Sequence, residues 1–143
     1  MVFGLLALTV AALFTGAAIY INIAEHPARL KLEDGPLLTQ WKPSYNAGKL
    51  MQASLAAAGG ILGLITFFFD WDWKWIIGAI FIAANWPYTL YLIMPTNHKL
   101  MAADPAAPGI EVRPLMVRWG WLHAGRSILG AIATLLFIAA AVN

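Results

Sequence analysis

The 143-residue chain contains no cysteine, so neither a disulfide framework nor a thiolate metal site can form. Charge is scarce too. Only 11% of residues are Asp, Glu, Lys or Arg, against about 25% in an ordinary soluble domain. The formal net charge is +2 and the basic residues are scattered. That excludes the clustered basic stripe of a nucleic-acid-binding face. No lipidation motif is present. The first apolar run lacks a positively charged n-region and far exceeds an h-region of roughly 7–15 residues. It is therefore expected to be a retained anchor. No internal repeat or low-complexity segment stands out.

What is abundant is apolar surface, with 61% of residues of hydrophobic type. Four stretches, over about residues 2–24, 47–69, 73–94 and 119–142, are long enough to cross a bilayer, which takes about 20 residues. The start of the second is the least regular, because Lys49 and Gln52 fall in its first turns. The expectation is an all-α protein, an integral membrane four-helix up-down bundle forming one transmembrane domain over residues 1–143. "DWDWK" between the second and third runs is a tight turn, which makes those helices antiparallel neighbours. "AGGILG" and "GAIA" supply small residues for close helix packing.

The other two connections are long and polar, and both fall on the same side of such a bundle. Arg29, Lys31, Lys42, Lys49, Lys99, Arg113 and Arg118 belong to that side, whereas only Lys74 belongs to the other. The positive-inside rule puts the long loops in the cytoplasm and both termini outside. Trp71, Trp73 and Trp75 suit an aromatic belt at the outer interface.

Polar residues within the runs gather at that same long-loop end. Asn22, Glu25, His26 and Arg29 follow an i, i+3, i+4, i+7 pattern, as one helical face would if the helix passes Pro27. Tyr45, Lys49 and Gln52 form a second stripe, and Trp119, His123 and Arg126 a third. Asn85 lies near mid-run and is expected to bond another helix, while Pro87 should kink its own. Arg126 sits two turns inside an apolar run, where a charge costs about 2.5–3.5 kcal/mol on insertion scales. It should face the bundle and pair, with Glu25 the best partner. A pocket at this end, lined by aromatic and a few polar groups, suits a flat apolar molecule.

The pieces "YINIAEHPAR", "WKPSYNAGKLMQ", "MPTNHKL" and "RWGWLHAGRSILG", in that order, resemble the anthrone oxygenase-like family of small membrane proteins. The resemblance implies four transmembrane helices. In some fungal members it implies oxidation of a polyketide anthrone to an anthraquinone with molecular oxygen. The positions matching its polar pattern are Asn22, Glu25, His26, Trp41, Tyr45, Gln52, Asn97, Trp119, His123 and Arg126.

Such a reaction needs a base and a place for negative charge, and no cofactor. His123 is the first candidate for the base and His26 the second. Arg126 would stabilise the developing oxyanion, with Glu25 beside it. Asn22, Gln52 and Asn97 would bind ring substituents. Trp41, Tyr45 and Trp119 would form flat walls. One alternative is a metal or haem site on His26, His98 and His123, although these lie 72 and 25 residues apart and share no metal-ligand spacing. Another is a small-molecule-binding membrane protein without enzymatic activity. The expected partners are the lipid bilayer and a small aromatic substrate, with no nucleic acid; a homo-oligomer is compatible with the sequence.

Overall fold

A computed structural model of the protein describes residues 2–143. Ala7, Ala11, Phe14 and Ala18 recur every three or four residues and are all fully buried, as one face of a helix requires. Among the described residues the chain forms four long helices and no strand. They are α1 (Val2–Arg29), α2 (Asp34–Asp70), α3 (Trp73–Ala102) and α4 (Val112–Ala141). Each is long and apolar enough to cross a membrane. Sequential helices pack side by side and α4 closes back on α1, while the diagonal pairs touch little. The expected four-helix architecture is therefore observed.

Two cores stack along the bundle. In the first, Phe137 of α4 lies in a slot between α2 and α3. A Cβ at Gly63 or Gly78 would come within 2.7 or 2.5 Å of its ring. The second core joins Leu37, Leu38 and Trp41 of α2 to Leu100, Val112 and Met116. It explains why the helices outrun their apolar stretches. The segment read as a long polar loop is mostly helix, because its apolar residues share a face that the ends of α3 and α4 cover. Only residues 30–33 separate α1 from α2.

The charges that suggested loops fasten helix ends instead. Arg113 donates to Leu30 O (2.8 Å) and Leu32 O (2.6 Å) and pairs with Asp34 at 2.6 Å. Lys42 Nζ donates to Met101 O (3.0 Å) and Ala103 O (2.5 Å), carbonyls at the end of α3 that lack helical partners. At the opposite end, Trp71 takes a left-handed conformation (φ 53°) and Asp72 Oδ1 accepts from Lys74 N at 3.0 Å, starting α3. Trp71 and Trp73 are exposed there, but Trp75 packs into the first core against Phe137, so it is not part of the exposed belt.

Two irregular turns shape the site. Residues Ile21–Glu25 of α1 and Thr89–Ile93 of α3 form π-turns, with His26 N bonding Ile21 O and Met94 N bonding Thr89 O. Each is followed directly by a proline one residue on, Pro27 or Pro95. Proline has no N–H, and its ring collides with the carbonyl four residues back in a regular helix. A wider turn relieves that clash. Pro87 has a different effect: it has no N–H to give to Ala83 O, the helix is irregular at Ala84, and Asn85 Nδ2 donates to Ile82 O at 3.1 Å. Asn85 thus bonds its own helix, not a neighbouring one as expected.

Candidate functional site

At the end of the bundle near the α1–α2 and α3–α4 turns, all four helices line a narrow cleft. Its walls hold Glu25 and Arg29 from α1, Trp41, Tyr45, Lys49 and Gln52 from α2, Asn97 from α3, and Trp119, His123 and Arg126 from α4. Eight of the sequence-derived candidates meet here: Glu25, Trp41, Tyr45, Gln52, Asn97, Trp119, His123 and Arg126.

The aromatic walls are fixed by neighbours. Trp41 and Tyr45, one helical turn apart, stack at 4.8 Å with an interplanar angle of 7°. Trp119 meets Trp41 edge-on at 5.9 Å. Asn97 braces both: its Oδ1 accepts from Trp119 Nε1 (2.9 Å) and its Nδ2 donates to Tyr45 OH (3.1 Å). Both ends of its amide are engaged, so Asn97 holds the walls rather than offering free groups to a ligand. Gln52 is the opposite case. It is 1% exposed, and neither amide atom has a hydrogen-bond partner.

Asn22 stands behind the cleft. Its Nδ2 donates to Gly120 O at 2.9 Å, which fixes the amide and leaves Oδ1 as an acceptor. That oxygen accepts from Ser127 Oγ (2.8 Å) and from His123 Nδ1 (2.9 Å). The His123 proton is therefore on Nδ1, and Nε2 carries the free lone pair. His26 also lies behind the wall, separated from the cleft by Trp119, whose ring it meets at 5.3 Å. It fits against Gly120, where a Cβ would fall 2.4 Å from His26 Nε2. Asn22 and His26, expected at the site itself, instead line a separate groove on the outer face of α1 and α4.

The ion pairing differs from expectation. Glu25 pairs with Arg29, not with Arg126. Arg29 also bonds Gln40 Oε1, and Ser44 Oγ donates to Glu25 Oε1 at 2.5 Å. Arg29 is 3% exposed, with its guanidinium 5.8 Å from the Trp119 ring centroid. Arg126 has no ion-pair partner among the described residues. It lies over Phe14 at 5.6 Å, and its buried Nε is unpaired. Lacking a partner, this cation is free to meet an anion in the cleft. The local i, i+4 spacing of Glu25 and Arg29 was the signal that favoured the observed pair.

The histidines do not assemble. His98 is exposed on α3, away from the cleft. Among the described residues no three His, Asp or Glu side chains gather as a metal site.

Comparison with known proteins bears directly on this arrangement. Residues 41–136 match the anthrone oxygenase family. The chain belongs to that family. The matched segment runs from Trp41 to beyond Arg126, so it holds the cleft residues of α2, α3 and α4; the α1 residues precede it. The chain is 32% identical over 108 residues to an anthrone oxygenase of Aspergillus novofumigatus, covering 68% of this chain and 66% of that relative. It therefore spans just under two thirds of that protein's length. It is 27% identical over 134 residues to an anthrone oxygenase of a Cryptosporiopsis species, covering 87% of this chain and 77% of the relative. No solved structure matches it.

Proposed function

We propose that this anthrone oxygenase family member oxidises a flat, fused-ring aromatic carbon acid of the anthrone type with molecular oxygen, without a cofactor. The observation that carries the reading is the pair His123 and Arg126. One has its Nδ1 proton tied to Asn22 and a bare Nε2. The other, one turn on, is a cation without a counter-ion.

His123 Nε2 takes a proton from the methylene carbon beside the aromatic rings. The electron pair moves onto the ring oxygen as an enolate-type anion, which Arg126 stabilises in a dry cleft. The anion passes electrons to oxygen and a carbon–oxygen bond forms, giving a hydroperoxide after proton return. Loss of water from it leaves the quinone carbonyl. One anthrone and one O2 give one anthraquinone and one H2O. Trp41, Tyr45 and Trp119 hold the rings, and Gln52 meets their oxygen substituents. The cleft is narrow, so a three-ring substrate must part its walls. The helices lie in a bilayer in this reading, with the cleft toward the cytoplasmic side.

The test is oxygen uptake by purified protein given an anthrone. Wild type is expected to consume one O2 per anthrone. His123→Ala should lose about 10²–10⁴-fold in rate, the usual contribution of a general base. Full activity in both His123→Ala and Arg126→Ala would refute the assignment.

A further inference from the structure

A groove between α2 and α3 opens on the apolar outer face of the bundle. Its outer part is an open depression with a floor of small residues, including Ala57, Gly60 and Ala83, between larger ones such as Ile61, Leu64 and Ile80. Its inner part shares Ala56 and Trp86 with the outer part. The inner part also shares Lys49 and Arg126 with the cleft. The two parts of the groove and the cleft thus adjoin one another, with Lys49 and Arg126 at the boundary between the inner part and the cleft.

The accessible lining of the inner end is apolar, but unsatisfied polar atoms belong to the residues that form it. Asn85 is 1% exposed, and its Oδ1 has no partner, because the amide is oriented by Nδ2 donating to Ile82 O. Thr89 Oγ1, one turn further, is buried and unpaired. Arg126 Nε is the third such atom. Buried polar groups are nearly always satisfied. Here an acceptor and a hydroxyl on α3 and a donor on α4 are all unsatisfied. An acyl chain could fill the apolar length but would leave all three unmatched.

We infer that this groove is the entry path and second subsite for the substrate, and that Asn85 and Thr89 recognise a phenolic hydroxyl on its outer ring. The inference rests on the proposed oxygenase function. The hydroxyl donates to Asn85 Oδ1 and bonds Thr89 Oγ1. The rings lie along the small-residue floor beneath Trp86, which is held across the groove by Nε1 donating to Ala53 O at 3.3 Å. The far end of the molecule then reaches Arg126 and the cleft. Asn85 and Thr89 are specificity-determining residues, distant from the proton transfer at His123.

The experiment uses the full chain in phosphatidylcholine nanodiscs, with empty nanodiscs as the partition control. Equilibrium dialysis measures binding of 2-hydroxyanthraquinone, whose hydroxyl is clear of the carbonyls, and of unsubstituted anthraquinone. Wild type is expected to prefer the hydroxylated ligand about tenfold, the range of one to two hydrogen bonds. Asn85→Leu and the isosteric Thr89→Val should each reduce that preference and leave anthraquinone binding intact. His123→Ala should keep it. If Asn85→Leu does not fold, Thr89→Val decides. Unchanged preference in the folded variants would make the groove a lipid seat and overturn the subsite, while anthrone-dependent oxygen uptake would still uphold the oxygenase reading. Binding of neither ligand together with no oxygen uptake would sink both.

Discussion

Replacing Arg126 by methionine should make the protein more stable and much less active. The two effects have different origins. A buried cation that belongs to an ion pair is costly to remove, about 3–5 kcal/mol, because its partner is left uncompensated. Arg126 has no such partner: Glu25 is engaged by Arg29, and the guanidinium rests over the Phe14 ring at 5.6 Å. Removing it relieves a charge penalty of about 2.5–3.5 kcal/mol on insertion scales. The lost cation–π contact returns about 0.5–2 kcal/mol of that. Methionine fills a similar volume, so no large cavity is left. The balance is a gain of roughly 0.5–3 kcal/mol, the difference of those two terms.

Activity should move the other way. A preorganised donor for a developing oxyanion is worth about 10²–10³ in kcat. Thermal unfolding of detergent-solubilised protein and oxygen uptake per folded molecule would be compared for wild type and Arg126→Met. The expected pattern is a raised melting temperature with a 10²-fold or greater loss of turnover. A lowered melting temperature would mean that Arg126 is a structural cation after all. Unimpaired turnover would remove it from the chemistry.

Other perturbations separate structural from chemical roles. Asn22→Leu releases His123 Nδ1 and should lower turnover by about 10² or more, within the range of a mispositioned general base, as read by oxygen uptake. Ser127→Ala removes a single bond from the same oxygen and should cost far less. Glu25→Ala leaves Arg29 buried without its carboxylate and should destabilise by about 3 kcal/mol in denaturant unfolding, the low end for a broken pair because Glu25 is partly exposed. Its turnover per folded molecule should persist. Gly78→Ala forces a methyl onto Phe137 and should destabilise by about 1–3 kcal/mol; Phe137→Leu in the same chain should recover part of that loss in the same unfolding measurement.

Some of this was legible in the residues and some was not. Apolar runs with a 3.6-residue rhythm specify the four helices, because burial on one face depends only on local spacing. The Trp119, His123 and Arg126 stripe was readable for the same reason: α4 is an uninterrupted helix over Val112–Ala141. Helix ends were less readable. Average hydropathy falls where Lys42 and Arg113 occur, yet these side chains cap neighbouring carbonyls and the helix continues. Partner choice was the hardest part. Glu25 and Arg126 lie on adjacent helices, and whether they meet depends on how α1 is rotated about its axis. No local pattern reports that rotation.

The π-turn in α1 redirects that helix end, and its counterpart in α3 acts on the facing wall. In α1, Tyr20 is followed seven residues later by Pro27, and in α3 Tyr88 is followed seven later by Pro95. Each π-turn lies between that tyrosine and proline, and each swings the helix end by more than a regular turn would. Two residues past each proline comes a buried polar side chain, Arg29 in α1 and Asn97 in α3. Both turn inward on Trp119, one with its guanidinium facing the ring and the other as acceptor of its Nε1–H. The same swing breaks the expected single face of α1: Asn22 and His26 turn to α4, and Glu25 and Arg29 turn to α2. Asn22 is thereby brought to His123, while Glu25 is drawn away from Arg126. A proline placed after a wide turn thus does two things at once. It orients the base, and it leaves the cation without a counter-ion, which is the condition the proposed chemistry requires.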